Sequence, residues 1–224
     1  MIHLYITVEG QTEKEFVDRV MRGYLSDRDV FPCSRLVLTS RDKKKEHRGG
    51  FRRTAAYQTV KDDILIWMKE QKRDDCRFTT MFDLYALPDD FPGMKEATGV
   101  SDPYSRIRIV EDAFSADIND HRFFPYIQLY EFETLLFSDV SFFSDVYFEN
   151  GIVQELKQIV VDHNDNPELI DDGENTAPSK RIMSIIPEYD KVTAGTLIAE
   201  SIGLDLMRNR CSHFSDWLNR LESL

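Results

Sequence analysis

The chain has 224 residues, 42% of them hydrophobic, and a formal net charge of −12. That length suits one sizeable domain, the charge speaks against a generally basic nucleic-acid-coating protein, and no apolar run is long enough to cross a bilayer. Cys33, Cys76 and Cys211 form no CxxC pair, so neither a zinc site nor a disulfide framework is signalled; with no basic-then-apolar leader, a reduced cytoplasmic setting is the expectation.

Residues 3–8 are rich in β-branched and aromatic types and predict a strand that ends in Glu9 and Gly10. Residues 12–25 carry Phe16, Val17, Val20, Met21, Tyr24 and Leu25 at helical spacing. "RLVLTS" at 35–40 predicts a second strand. Behind it, "SRDKKKEHRGGFRR" gathers Arg41, Lys43, Lys44, Lys45, Arg48, Arg52 and Arg53 against only Asp42 and Glu46. On charge alone a solvated loop and a phosphate-contacting arm explain this island equally well. "TAAYQTVKDDILIWMKEQ" predicts a helix with Tyr57, Val60, Ile64 and Trp67 on one face, and "RFTTMFD" (77–83) a third strand ending on Asp83. Residues 103–118 predict a helix with Ile107, Val110 and Phe114 inward. "FFPYIQLY" predicts a fourth strand, with "EFETLLF" after it. Beyond residue 150 the pattern is mainly helical, over 151–160, 179–186, 195–208 and 213–224.

Strand alternating with helix implies an α/β fold: a mainly parallel sheet covered by helices on both faces. Residues 1–145 would form it, with 146–224 a helical extension packed on it, or the whole one continuous domain. Right-handed crossovers place the strand C-terminal ends along one edge, where ligands bind in open α/β sheets. Glu9 and Asp83 both end strands and should face one crevice, and Glu131 and Glu133 follow the fourth strand toward it. On a helix those two diverge, which would admit one of them to the site. Close carboxylates repel, and a divalent cation removes the repulsion; an all-oxygen set suits Mg²⁺ or Mn²⁺. A metal beside a basic loop favours a phosphodiester substrate.

Other residues have plainer readings. "TEKE" fits a capping box between Thr12 and Glu15, and Glu13 in the first turn favours the helix dipole, so both glutamates read as structural. Gly10 fits a turn that needs positive φ or a close backbone approach. In "NTAPSKRI", Lys180 and Arg181 open a helix against its dipole, where they and the helix-start N–H groups suit a phosphate. Lys191 in "EYDKVTAG" is a weaker candidate of the same kind, and His213 reads as a packing or capping residue.

"EGQTE", "TTMFDLYALPDDFPG", "PYIQLYEFETLLFSD", "NTAPSKRI" and "CSHFSDWL" together resemble the domain-of-unknown-function family 4276, which is grouped with Toprim-like folds. "ITVEGQTEKEF" is also similar to the first motif of the nuclease-type Toprim domains in OLD-like proteins. The resemblance implies a metal-dependent nuclease acting on DNA or RNA, working with an ATPase partner in a bacterial defence-type system. Glu9 matches the glutamate after the first strand, and Asp83 the first acid of a metal-binding DxD pair. Tyr85 stands where the second acid is expected, a departure that weakens the metal site and supports the rival reading, a catalytically degenerate adaptor for the ATPase or for nucleic acid. Glu131 or Glu133 matches the later acidic position and Lys180 the lysine that offsets charge on the scissile phosphate. Nucleic-acid contact falls to Lys43, Lys44, Lys45, Arg48, Arg52, Arg53 and Arg181. Oligomeric state is left open.

Overall fold

In chain order the elements are β1 (Ile2–Val8), α1 (Gln11–Phe16), a wide π turn (Val17–Met21), α2 (Arg22–Ser26), β2 (Val30–Leu36), the hairpin strands β3 (Leu38–Asp42) and β4 (Lys45–Arg48), α3 (Tyr57–Glu70), β5 (Cys76–Asp83), α4 (Pro103–Ile118), β6 (Ile127–Gln128), α5 (Ile152–Asp162), α6 (Pro178–Ile185), α7 (Thr196–Arg210) and α8 (Ser212–Glu222). They are taken from a computed structural model that describes residues 1–42, 45–51, 56–171, 173 and 175–224, with Arg41, Asp42 and Lys45 described by backbone alone.

The main sheet has the order β2-β1-β5-β6 with every pairing parallel. Its two faces bury different residues because side chains alternate along a strand. Leu4, Ile6 and Val8 of β1 pack with Phe16 of α1, Ile198 of α7, and Phe214 and Leu218 of α8. On the other face Phe78 and Phe82 of β5 pack with Val60 and Ile64 of α3 and with Ile107, Val110 and Phe114 of α4. The fold is therefore the α/β class that the strand–helix alternation implies. Ile152 and Leu156 of α5 and Ile182 of α6 belong to the same core as β1. Among the described residues no helix is long and apolar enough to cross a membrane.

Two strands differ from their sequence reading. The second begins at Val30, five residues before the expected 35, and holds Pro32. It lies at the sheet edge, where a proline's missing N–H is tolerated. The fourth is a continuous ladder over Ile127 and Gln128, with Phe123 adding an isolated parallel bridge to Phe78. Pro125 precedes them, and Tyr130 turns out of the strand at φ 63.

A buried carboxylate ties the C-terminal helices to α4. Glu168, fully buried, accepts from the N–H groups of His213 and Phe214 (3.1 Å each), from Ser212 Oγ (3.1 Å) and from Tyr104 Oη (3.0 Å). It satisfies orphan donors at the start of α8. Glu168→Ala strands those donors and is expected to cost about 3 kcal/mol. Thermal unfolding should then fall by roughly 6–12 °C; an unchanged Tm would mean that water replaces the carboxylate without loss.

Candidate functional site

The central strands end together. Val8 pairs with Met81 in the parallel register, so Glu9 and Asp83 leave the sheet at the same edge. The Asp83 N–H donates to Glu9 Oε2 (3.0 Å), and the Phe51 N–H donates to the same carboxylate. Phe51 ends the arm that returns from β4. In it the Gly50 N–H donates to the Glu9 carbonyl (2.9 Å), and Gly49 turns at φ 84 with no room to spare, since a Cβ would lie 3.3 Å from that carbonyl. Glycine is required at this turn for both reasons.

The first helix brings a further acid. Its N-cap is Gly10, and Glu13 is the residue whose side chain reaches back, accepting from the Gly10 N–H (2.7 Å). The capping box is thus Gly10–Glu13, two residues earlier than the expected Thr12–Glu15, because the helix starts at Gln11; Glu15 instead accepts from Gln11 Nε2 (2.7 Å). Gly10 has φ −138, so it serves close approach: a Cβ there would sit 2.9 Å from Glu13 Oε2. Glu13 is buried.

Glu131 and Glu133 both enter. Glu131 lies just before the 3-10 helix Phe132–Ser138, with extended backbone, so the divergence of residues two apart on a helix does not apply. It accepts from the Ser179 N–H and from Ser179 Oγ (3.0 Å). The start of α6 therefore already holds an anion, the Glu131 carboxylate. Lys191, on a wide turn (Lys191–Gly195) capped by Asp190, places Nζ 3.0 Å from Glu133 Oε1 and 3.5 Å from Glu131 Oε2. The Glu133 contact is an ion pair by distance, although Oε1 lacks an aligned hydrogen bond.

The crevice therefore gathers five buried carboxylates, Glu9, Glu13, Asp83, Glu131 and Glu133. Among the described residues, Lys191 is the cation that reaches them. Burial, then the Glu13 charge, raises Glu9 from its ordinary 4.5 to about 8. Burial raises Glu133 to about 7 against the pull of Lys191. Asp83 and Glu13 are likewise raised, chiefly by burial and then, for Asp83, by Glu13 and Glu9. Burial would lower the Lys191 ammonium, but Glu133, Glu131 and Asp83 outweigh it and hold the group raised. Asp83 Oδ1 is buried with no hydrogen-bond partner. Such an orphaned oxygen is costly unless a proton or a cation meets it. As the side chains stand, no three His, Cys, Asp or Glu among the described residues are grouped to hold a metal ion.

Other residues read from sequence lie elsewhere. Lys180 is exposed on α6. Arg181 donates to the Thr176 carbonyl (2.6 Å) and lies 3.5 Å from Asp171. Arg48 forks onto buried Asp63 (3.1 Å to each oxygen) and donates to the Leu36 carbonyl (3.0 Å). It anchors the hairpin. Lys43, Lys44, Arg52 and Arg53 lie outside the described residues, as do the side chains of Arg41 and Lys45.

A family model described as "Domain of unknown function (DUF4276)" matches residues 8–222. The chain belongs to this family. The DUF4276 match runs from the end of β1 through α8 and takes in every carboxylate of the crevice together with Lys191. No curated relative matches the sequence. Among solved structures, the C-terminal region of the Xanthomonas campestris pv. campestris OLD protein is similar at a TM-score of 0.34 and 14% identity, over 99% of this DUF4276 chain and 98% of that one. A likeness that loose fixes no residue equivalences.

Proposed function

We propose that the chain is a Mg²⁺- or Mn²⁺-dependent phosphodiester hydrolase acting on DNA or RNA. The observation that carries this reading is the crevice itself: buried carboxylates at the C-terminal edge of a parallel sheet, in excess, among the described residues, over the cation that reaches them. Hard oxygen donors in that number suit Mg²⁺ or Mn²⁺, and the partnerless Asp83 Oδ1 fits a cation ligand. Glu9, Asp83, Glu131 and Glu133 would hold the ion, which when bound neutralises phosphoryl charge and activates water. Ser179 orients Glu131, and Glu13 fixes the turn that carries Glu9. Lys191, half exposed beside Glu133, takes the role of offsetting charge on the phosphate that the family resemblance suggested for Lys180. The Toprim-type resemblance supports an ATPase partner and a cytoplasmic, defence-type setting.

The lysines give the test. Lys191→Ala is expected to lower the Mn²⁺-dependent cleavage rate by roughly 10²- to 10³-fold, as loss of one charge-stabilising donor does. Lys180→Ala should leave it within about 2-fold. Equal losses, or a loss confined to Lys180→Ala, would reject this assignment. A non-catalytic adaptor is the second reading. It is favoured by the lack, among the described residues, of three ligands already grouped for a metal, and by Tyr85 in place of a second acid.

A further inference from the structure

An exposed tyrosine stands beside the crevice, near enough for the charges of Asp83, Lys191, Glu9 and Glu131 to act on its phenol. Tyr85 follows Asp83 by two residues, and its N–H donates to the carbonyl of Tyr130 (3.3 Å), the residue before Glu131. That bond ties the Tyr85 backbone to the Glu131 segment, and the residue is 39% exposed. Phe51 approaches from the hairpin arm. Its N–H is fixed on the Glu9 carboxylate, while its ring is taken up by packing, edge-on to Phe82 (centroids 4.8 Å, 84°) at the margin of the core. A large aromatic left partly in water beside a polar site, as Tyr85 is, is available for stacking.

We propose that Tyr85 forms a base-stacking platform, so that the site takes single-stranded nucleic acid or the unpaired end of a duplex. The proposal rests on the hydrolase reading for where the phosphate lies. An unstacked base offers both faces to an aromatic ring, whereas bases within a duplex have theirs covered. In a crevice where, among the described residues, carboxylates outnumber cations, stacking is an attraction that charge repulsion does not cancel. It also gives Tyr85 a use at the position where a second acid is missing.

The test is binding of a short single-stranded oligonucleotide carrying 2-aminopurine, with Ca²⁺ in place of Mn²⁺ to withhold cleavage. Fluorescence should be quenched on binding to the wild-type protein. Tyr85→Ala should lose the quench and raise Kd about 5- to 100-fold, the range that loss of one base–aromatic stack produces. Tyr85→Phe should retain both. The same oligonucleotide annealed to its complement should bind more weakly and without dependence on Tyr85. An unchanged Kd for Tyr85→Ala, or equal quenching in the duplex, overturns the stacking platform. Cleavage in Mn²⁺ with no Tyr85 effect on binding removes the platform and leaves the hydrolase; Tyr85-dependent quenching with no cleavage removes the hydrolase and leaves the platform.

Discussion

Glu9→Gln and Asp83→Asn are each expected to lower Mn²⁺ affinity by more than about 100-fold while leaving the protein folded. Both changes are isosteric. The glutamine carbonyl can still accept the Asp83 N–H that Glu9 Oε2 accepts now, so the strand ends stay joined. What is lost is charge in a cluster that already carries too much of it. Without metal these variants should therefore be at least as stable as the wild type at pH 8, because a neutral side chain removes repulsion. Calorimetric titration with Mn²⁺ and thermal unfolding in EDTA read the two effects separately. Wild-type affinity in both variants would remove Glu9 and Asp83 from the ligand set; unfolding of both would make them structural.

Metal-free stability should fall as pH rises from about 5 to 8.5. Glu9 stands at about 8 and Glu133 at about 7 in the folded protein, against an ordinary 4.5. The folded state then binds more protons than the unfolded chain within that window, so raising pH favours unfolding. The contribution is fully present below about 4.5 and is lost as pH passes through 7 and 8. A tenfold difference in proton affinity between the folded and unfolded states corresponds to about 1.4 kcal/mol, and each kcal/mol moves Tm by about 2–4 °C in a chain of this size. A fall of at least roughly 5 °C between pH 5.5 and 8.5 in EDTA is expected. Glu9→Gln should flatten that fall, and saturating Mn²⁺ should reverse it, since a ligand of the folded state stabilises by mass action. Stability that rises with pH, and that Mn²⁺ leaves unmoved, would contradict the electrostatics assigned to the crevice.

The meeting of Glu9 and Asp83 is legible in the sequence because parallel strands must end at one edge, and two apolar runs visibly end in acids. Glu13 is harder. In the first turn of a helix it reads as a dipole partner or cap, which it is, and nothing local says that the same carboxylate is buried against Glu9. One signal was available: with Gly10 as N-cap, Glu13 rather than Glu15 falls at the third helical position. Sequence ranks Lys180 ahead of Lys191, although both open helical segments after polar turns and nothing local decides between them. The choice is made by tertiary packing, which fills the start of α6 with Glu131 and sends Lys191 into the crevice. The same is true of Arg48, which in sequence belongs to a cationic island and in the fold belongs to Asp63.

The most direct test is cleavage of single-stranded DNA and RNA in Mn²⁺ by the wild-type chain and by Glu9→Gln, with and without the ATPase proposed as its partner. The expected result is metal-dependent cleavage by the wild type, abolished by EDTA, and reduced by at least about 10³-fold in Glu9→Gln. Cleavage by Glu9→Gln at the wild-type rate, or no cleavage of any substrate under either condition, would contradict a hydrolytic centre in this crevice.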